Sequence, residues 1–360
     1  MHQTHHDTVL RGHGYHPLRV KQVVKESDDA SSFVLDIPAE LRTTFDYSPG
    51  QFCTLRVRIG GEDHFRSYSM SSTPGIDPDL TVTVKRVAGG LVSNWLLDHV
   101  TQGSLVQTAK PAGVFCPRDG AHPVIAFCGG SGITPVMSII KHELAASRRS
   151  ITLFYANRDP GSVIFDGALG ALGRAHPERL AVRHHFDIDH GFAAPGDVSA
   201  LVGDQLGADF YICGPGPFMD IVESTLLGLG VAPHRIFIER FGVEGQGEDA
   251  AGASPGEPDA REAPESRPPA AITVILGGRS TTVAYRPGDT VLETARRGGL
   301  RPPFSCEAGN CATCMAFLKE GSVRMRANNA LTPDEVAQGW ILTCQSLPTG
   351  QAVTVEYEAM

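Results

Sequence analysis

The sequence predicts a multi-domain protein of mixed α+β and α/β class: an antiparallel β-barrel, then a parallel α/β domain, then a smaller third domain. Three observations predict this order. Short β-rich runs fill residues 15–118, strands alternate with helices over 119–242, and a Pro-rich acidic segment precedes residues 272–360. A chain of 360 residues is long enough for two or three domains.

The first domain is predicted from six β-rich runs separated by Pro and Gly. These runs are LRVKQVVKE, SSFVLDI, QFCTLRVRI, RSYSM, LTVTVKRV and SLVQTA. One short helical stretch, VSNWLLDHV, interrupts them. Many short strands at this spacing indicate a closed β-barrel. Residues 1–14, ahead of the first run, are predicted to be a disordered tail.

The second domain is predicted from a regular alternation of strand and helix. VIAFCGG precedes the helical TPVMSIIKHELAAS, and ITLFYANRD precedes a short helix around GALGALGRAH. LAVRHHFD is a further strand, DFYICG precedes the helical PFMDIVESTLLGLG, and RIFIERF is the last strand. This alternation indicates a parallel sheet covered by helices.

Residues 243–271 are predicted to be a flexible acidic linker. Val243 is the only large apolar residue over 243–270, so the segment cannot bury enough surface to fold. The alternative, a loop within one domain, is disfavoured because so long a structureless loop is rare in a compact fold. Beyond the linker, ITVILGGRSTTVAY predicts a hairpin that turns at Gly277-Gly278, and TVLETARRGG predicts a helix.

Charge and hydropathy exclude some classes of function. The net charge of −9 argues against a general nucleic-acid-binding protein. The chain contains no apolar run of 18 residues, and its first residues lack the apolar core of a secretory signal. We therefore expect a cytoplasmic protein with neither nucleic acid nor membrane among its partners.

Four of the eight cysteines follow residue 300, with the spacing Cys306-x4-Cys311-x2-Cys314 and then Cys344. A structural zinc site normally has two close pairs of ligands, whereas only one CxxC occurs here. A disulfide would not explain three cysteines on one loop. The spacing is the one with which plant-type ferredoxins hold a [2Fe–2S] cluster, and Gly309 permits the positive φ that such a loop requires. We therefore predict that these four cysteines are cluster ligands, with zinc as the alternative.

Residues 272–360 resemble a plant-type ferredoxin domain in PPFSCEAGNCATC and ILTCQS. The resemblance implies a β-grasp fold around the cluster. Ala312 departs from the pattern, because relatives often carry Gly or Ser there. A methyl group should be tolerated, so the assignment is unchanged.

FRSYSM resembles the R-x-Y-S signature of the ferredoxin–NADP reductase superfamily. The resemblance implies that Arg66 pairs with a flavin phosphate, Tyr68 packs on the isoalloxazine and Ser69 bonds near flavin N5. A polar strand face is the alternative. VKRVAGGLVSNW follows, and its glycine turn before a helix would present N–H groups to a phosphate. FAD is favoured over FMN by analogy. The implied FAD-binding residues are Arg66, Ser67, Tyr68, Ser69, Lys85, Gly90, Val92, Ser93, Thr134 and Phe241.

CGGSGITPVM, YANRD and YICGPGPFM resemble, in this order, the nicotinamide-binding module of the same superfamily, although the G-x-G-x-x-G fingerprint is absent. The resemblance places Thr134 beside the flavin and Cys213 beside the nicotinamide, and it gives catalytic roles to these two residues and Ser69. Phe241 either covers the flavin ring or is a core residue. The implied nucleotide-binding residues are Gly130, Ser131, Gly132, Asn157, Arg158, Cys213, Gly214 and Pro215.

The order of the three modules, from about residue 15 to 360, is that of oxygenase reductases with a C-terminal ferredoxin domain. LTVTVKRVAGGLVSNWLLDH and YANRDPGSVIF look most similar to the reductases of Rieske-type 3-ketosteroid 9α-hydroxylases, which act in steroid degradation. The reductases of phenylacetyl-CoA epoxidases are the alternative. The resemblance implies an NAD(P)H-dependent oxidoreductase that passes electrons through FAD and a [2Fe–2S] cluster to a terminal oxygenase, Rieske-type or di-iron.

The electron donor is expected to be NADH, and NADPH is the alternative. Asp159 could repel a 2′-phosphate and Arg158 could attract one. Two other classes of function fit the sequence less well. A redox sensor should carry a DNA-binding motif or a basic patch, and neither occurs in the sequence. A simple electron carrier would not need a nucleotide module.

Overall fold

The structure is a computed structural model, and it describes residues 15–241, 269–304, 307, 309, 312–328 and 330–357. The predicted disordered tail, most of the predicted linker, and Cys306 and Cys311 lie outside these residues. Among the described residues, no helix is both long enough and apolar enough to cross a membrane.

The first domain is a six-stranded antiparallel sheet with the strand order β4-β3-β6-β1-β2-β5. A bridge between Met70 and Val82 joins the two end strands, so the sheet closes into the predicted barrel. Along the start of β1, Leu18 and Val20 are buried in the barrel core, whereas Pro17, Arg19 and Lys21 are exposed to solvent. The elements are β1 (His16–Ser27), β2 (Ala30–Asp36), β3 (Phe52–Ile59), β4 (Glu62–Ser69), β5 (Leu80–Lys85), α1 (Leu91–His99) and β6 (Leu105–Thr108).

The second domain is a five-stranded parallel sheet with the order β11-β10-β7-β8-β9. The central strands β7 and β10 are buried along their whole length, which is typical of a sheet covered by helices on both faces. The elements are β7 (Val124–Gly129), α2 (Ile133–Ala146), β8 (Ile151–Asn157), α3 (Asp166–Ala175), β9 (Leu180–Phe186), α4 (Asp187–His190), α5 (Pro195–Val202), β10 (Asp209–Cys213), α6 (Gly216–Gly228) and β11 (Ile236–Glu239).

Two helices of this domain, α4 and α5, were not predicted from the sequence. Both are short, and α5 begins at Pro195 within a segment that reads as a turn. Pro is well suited to the first turn of a helix, where its missing N–H has no partner to lose. Val198 and Val202 of α5 are fully buried, and they complete the apolar layer on that face of the sheet.

The third domain is a five-stranded mixed sheet with the order β13-β12-β18-β14-β16, accompanied by the two-stranded pair β15-β17. The predicted hairpin turns at Gly277 and Gly278, whose φ angles are 58° and 74°. Positive φ at both turn positions is the requirement of a tight two-residue hairpin. The elements are β12 (Ala271–Leu276), β13 (Arg279–Ala284), α7 (Val291–Arg297), β14 (Met315–Glu320), β15 (Val323–Met325), α8 (Pro333–Ala337), β16 (Trp340–Leu342), β17 (Ser346–Pro348) and β18 (Thr354–Glu356).

Candidate flavin, nucleotide and cluster sites

The predicted flavin residues Arg66–Ser69 lie on β4, which pairs along its whole length with β3. The Ser67 and Thr54 hydroxyls are 2.9 Å apart, so Ser67 faces another residue of the barrel. The Arg66 guanidinium donates a hydrogen bond of 2.7 Å to the carbonyl of Phe65. Burial raises the pKa of the Tyr68 phenol, which is therefore neutral at physiological pH.

The Ser69 hydroxyl is the feature that best fits a bound flavin. The residue is 2% exposed, and its Oγ has no hydrogen-bond partner among the described residues. A buried hydroxyl without a partner costs about 1–3 kcal/mol. A flavin ring nitrogen beside this hydroxyl would supply the partner. The contact itself stays a prediction.

The turn before α1 is built as a phosphate site requires. A Cβ on Gly90 would lie 2.8 Å from Ser93 Oγ and 2.9 Å from Val87 Cβ, so the turn is too tight for a larger residue. Ser93 Oγ accepts a hydrogen bond of 3.2 Å from the Val87 amide. The Val92 side chain is buried in the barrel core, which leaves only its backbone to reach a cofactor. The positive end of the α1 dipole faces this turn.

The predicted nucleotide residues meet at the switch point of the parallel sheet. Gly130–Gly132 follow β7 and Cys213–Pro215 follow β10, and these two strands are neighbours whose onward connections run in opposite directions. Ligands of open α/β sheets bind in the crevice at such a point. A Cβ on Gly132 would lie only 2.0 Å from the Cys213 carbonyl oxygen, so the two loops are in direct contact.

Three of the other predicted residues, Thr134, Asn157 and Cys213, are buried near the ends of the strands β7, β8 and β10. Thr134 is 2% exposed, and its hydroxyl donates a 2.9 Å hydrogen bond to the Ser131 carbonyl. Burial raises the pKa of the Cys213 thiol well above its ordinary value, so this residue is a neutral thiol and not a thiolate nucleophile. Asn157 is buried and its amide approaches the Tyr155 phenol, but neither amide atom forms a hydrogen bond of normal geometry with a described residue. Phe241 is partly buried against the core of the second domain.

Lys85 and Arg158 share one carboxylate that no sequence pattern singled out. Arg158 Nη2 lies 3.0 Å from Asp29 Oδ2, and Lys85 Nζ lies 3.9 Å from the same oxygen. Burial lowers the pKa of Lys85 and the charge of Asp29 opposes that shift. Asp29 is in the turn between β1 and β2, so this cluster joins the barrel to the nucleotide domain.

Of the four predicted cluster ligands, the structure describes Cys314 and Cys344. Both are buried and belong to one apolar cluster. The Cys314 carbonyl accepts a 2.7 Å hydrogen bond from the Thr343 hydroxyl, which in turn accepts one of 2.8 Å from the Tyr357 hydroxyl. This chain of hydrogen bonds ties the two cysteine segments together. Cys306 and Cys311 are outside the described residues.

Three described residues of the cysteine loop have a left-handed backbone, as a loop that curls around a cluster requires, and the first of them is Glu307 with φ 49°. Gly309 has φ 76°, and a Cβ there would lie 2.9 Å from the Ala327 carbonyl oxygen. Ala312 has φ 53°, which costs a residue with a Cβ about 1–2 kcal/mol. Gly adopts a positive φ without this penalty, which explains why relatives often have Gly at the position of Ala312.

The third domain contacts the barrel next to the predicted flavin residues. Phe52 lies opposite Ser69 in the β3-β4 ladder, and it belongs to the apolar cluster that contains Cys314 and Cys344. Lys110 Nζ of the barrel forms an ion pair of 2.9 Å with Glu335 Oε1 of the third domain. One aromatic residue therefore connects the flavin strand with the cluster region.

No sequence pattern pointed to Asp29, Phe52, Lys110 or Glu335. Asp29 lies in VKESDDASS, which reads only as the turn of a hairpin. Phe52 reads as an ordinary strand residue, and Lys110 and Glu335 are separated by 225 positions in the chain. Only the assembled domains show that these residues flank the site.

These sites and folds together define a class of protein: a flavin- and nicotinamide-dependent electron-transfer protein with its own iron–sulfur domain. Residues 17–116 match the oxidoreductase FAD-binding domain family, residues 127–224 match the oxidoreductase NAD-binding domain family, and residues 274–349 match the 2Fe-2S iron-sulfur cluster binding domain family. The predicted fold class and the cofactors FAD and [2Fe–2S] are confirmed.

Relatives and a solved structure share this arrangement over the whole chain. The chain is 39% identical to the 3-ketosteroid-9-alpha-monooxygenase ferredoxin reductase component of Mycolicibacterium smegmatis, over 95% of this chain and 96% of that protein. It is 32% identical to a subunit of the 1,2-phenylacetyl-CoA epoxidase of Escherichia coli, over 96% and 98%. Phthalate dioxygenase reductase, a modular structure for electron transfer from pyridine nucleotides to [2Fe–2S], aligns with TM-score 0.60 and 25% identity, over 96% and 98%.

The chain belongs to the ferredoxin reductase family whose members combine FAD-binding, NAD-binding and 2Fe-2S domains. It is an NAD(P)H-dependent flavin and iron–sulfur oxidoreductase of the kind that serves multicomponent oxygenases. The predicted enzyme class is thereby confirmed.

Proposed function

We propose that this protein is the reductase component of a Rieske-type 3-ketosteroid 9α-hydroxylase, and that it takes its electrons from NADH. The observation that carries the electron-transfer route is the position of Phe52. This residue is opposite Ser69 on the flavin strand and packs in the apolar cluster that contains Cys314 and Cys344. The identity of 39% to a 3-ketosteroid monooxygenase reductase, against 32% to part of an epoxidase, favours the steroid system.

The bound flavin supplies the conversion between a two-electron donor and a one-electron acceptor. The chain's own residues supply position and exclusion of water. Ser69 would offer its buried hydroxyl to the ring, and Arg66 and the Gly90 turn would offer cationic and amide groups to the phosphates. The contact between the Gly132 and Cys213 loops lets a nucleotide approach backbone groups directly. We propose that Thr134 and Phe241 lie beside the flavin, as the family resemblance implies.

The route outward requires the third domain to leave the barrel, because the apolar cluster around Cys314 and Cys344 also packs against Phe52. The predicted linker ended at residue 271, but Ala271 begins β12, so we propose that residues 243–270 act as the flexible tether. A random coil of 28 residues, as over 243–270, spans about 25–32 Å. This reach is enough for the domain to move from the barrel to a partner surface while it stays attached.

A reconstituted assay tests the proposed partner. The purified full-length protein, loaded with FAD and iron–sulfur, is combined with NADH and either a Rieske-type 3-ketosteroid oxygenase or a di-iron phenylacetyl-CoA epoxidase. We expect hydroxylated steroid to form in the first mixture, and little epoxide to form in the second. The opposite result would identify the epoxidase as the partner.

The same preparation tests the two other classes of function. NADH should rapidly bleach the flavin absorption band, and then the iron–sulfur bands should change. A protein whose flavin is not reduced by either nicotinamide nucleotide would be a sensor or a carrier instead of a reductase.

A further inference from the structure

The turn between β1 and β2 places two carboxylates of the barrel at the carboxyl end of β8 in the nucleotide domain. Asp29 Oδ2 lies 3.0 Å from Arg158 Nη2. A Cβ on Gly161 would lie 3.4 Å from Asp159 Oδ1 and 3.6 Å from Asp28 Oδ2. The Arg158 guanidinium therefore pairs with Asp29, while Asp28 and Asp159 approach the neighbouring Gly161.

Asp29 is held in place by the turn that carries it. Its Oδ1 accepts a 3.0 Å hydrogen bond from the Ser27 hydroxyl, and its carbonyl accepts one of 2.7 Å from the Arg86 amide. The Asp29 side chain is 19% exposed, whereas that of Arg158 is 64% exposed. The carboxylate is the fixed member of the pair and the guanidinium is the adaptable one. Asp159 is also fixed, since its Oδ1 accepts a 2.9 Å hydrogen bond from the Ser162 amide.

The position of Arg158 explains why this pair matters for the nucleotide. Arg158 directly follows β8, the strand beside β7, and β7 leads into the glycine turn. In doubly wound sheets that carry the G-x-G-x-x-G turn, an acidic residue about 20 residues further on binds the ribose 2′-hydroxyl of NADH, or an Arg nearby accommodates the 2′-phosphate of NADPH. This chain lacks that fingerprint, and by analogy we assign the same position to Arg158. In this protein the Arg already has a carboxylate partner from another domain. A 2′-phosphate would have to displace Asp29 and would then face Asp159.

We propose that Asp29 is a specificity-determining residue, which occupies Arg158 and so disfavours NADPH relative to NADH. The inference rests on the proposed function, because that function makes NADH the electron donor. Asp29 already neutralises Arg158, so a 2′-phosphate dianion gains little from the guanidinium and is repelled by the Asp29 carboxylate, whereas the neutral 2′-hydroxyl of NADH meets no such repulsion. Asp29 acts on the nucleotide through Arg158.

The test compares kcat/KM for NADH and for NADPH, with ferricyanide as acceptor at low ionic strength. The enzyme is the full-length holoprotein. Asp29→Asn removes the charge but keeps an oxygen for Ser27, and we expect it to raise the NADPH-to-NADH ratio of kcat/KM about tenfold, as one new charge-assisted phosphate contact would. Asp29→Ser releases Arg158 in the same way and replaces the first variant if that one does not fold.

Two further variants distinguish loss of the Asp29–Arg158 ion pair from simple loss of a negative charge in this region. Asp28→Asn removes the same charge one residue earlier, where the carboxylate pairs with Lys25 at 3.4 Å, and it should change the ratio by less than about threefold. Asp29→Asn combined with Arg158→Gln should lose the gain. An unchanged ratio in both Asp29 variants, or an equal gain in Asp28→Asn, would overturn the inference. A wild-type preference for NADPH would overturn it as well, whereas failure of NADH to reduce the wild-type flavin would instead refute the proposed function.

Discussion

The barrel contacts the other two domains through interfaces of different chemistry. Towards the nucleotide domain, the Thr73 hydroxyl donates a 3.0 Å hydrogen bond to the Ser138 carbonyl, and the Ser138 hydroxyl donates one of 2.6 Å to the Ser72 carbonyl. All these groups are buried. Towards the third domain, the described residues form two ion pairs, and the more buried one is Lys110–Glu335, whose side chains are 28% and 21% exposed.

We call the interface between the barrel and the nucleotide domain the fixed joint, and the interface between the barrel and the third domain the separable joint. Breaking the first interface would leave buried carbonyl and hydroxyl groups without partners, which is costly. Breaking the second would return two partly hydrated charges to water at little cost, and the main cost would be exposure of the Phe52 side chain, about 1.5–3 kcal/mol. Hydride transfer needs the nucleotide and flavin held at near-contact distance, so a fixed joint suits it. Delivery of electrons to a separate protein suits a joint that opens.

The largest effect should come from Cys344→Ser. This variant tests whether the third domain can lose its cluster while the other two domains keep their function. Loss of one of four thiolate ligands should abolish the iron–sulfur absorption bands and nearly abolish cytochrome c reduction. Flavin reduction by NADH and ferricyanide reduction should remain, because the barrel and the nucleotide domain are joined independently of the third domain. Iron content, visible spectra and both rates are measured. Cys116→Ser, a half-buried cysteine next to the nucleotide domain, is the control and should keep its iron. Loss of the flavin in Cys344→Ser would show that the domains are not separable.

An intermediate effect is expected from Ser138→Ala at the fixed joint. The substitution removes the donor to the Ser72 carbonyl, which should lower the free energy of unfolding by about 1–3 kcal/mol. The thermal midpoint should fall by roughly 2–4 °C for each kcal/mol. Ser224→Ala removes an exposed serine of α6 and should leave the midpoint unchanged. Equal midpoints for both variants would mean that this joint is not stabilised by its buried hydrogen bonds.

The smallest effect is expected from Lys110→Gln at the separable joint. An ion pair of this exposure contributes about 0.4–1 kcal/mol, which corresponds to a two- to fivefold slower cluster reduction. Stopped-flow absorbance after mixing with NADH measures this rate, and added salt should slow the wild type more than the variant. Arg301→Gln is the matched control, because Arg301 and Glu62 are 3.8 Å apart with side chains 90% and 70% exposed. A control that slows the reaction as much as Lys110→Gln would contradict a specific role for the Lys110–Glu335 pair.

The fold was predictable wherever short-range patterns determine it. Alternating burial along β1, the succession of strand and helix after Val124, and the Gly277-Gly278 turn all follow from rules that act over a few residues. α5 was missed because eight residues with Pro and Gly at their start give too few helical turns for a clear period. Tertiary packing of Val198 and Val202 stabilises that helix instead.

The site residues were likewise predictable only where a local sequence pattern determines them. The loops after β7 and β10 were predictable because glycine turns at strand ends have a mechanism that sequence alone shows. Asp29 and Glu335 were not, because each meets its partner over more than a hundred residues of chain. The cluster ligands were predicted from spacing, and the structure describes Cys314 and Cys344. The contacts of the named residues with FAD and nucleotide stay predictions.

The close contact between the two nucleotide loops also limits how this enzyme can be redesigned. No side chain fits at Gly132, where a Cβ would lie 2.0 Å from a backbone oxygen, whereas a Cβ on Gly216 meets nothing within 4 Å. In a mutant library aimed at new cofactors, variants at Gly132 should not fold correctly, because the Cys213 backbone cannot move aside as a flexible side chain can. Diversity placed at Gly216, at the start of α6, would be sterically open. The protein can therefore vary around its nucleotide crevice but not at the point where its two loops meet.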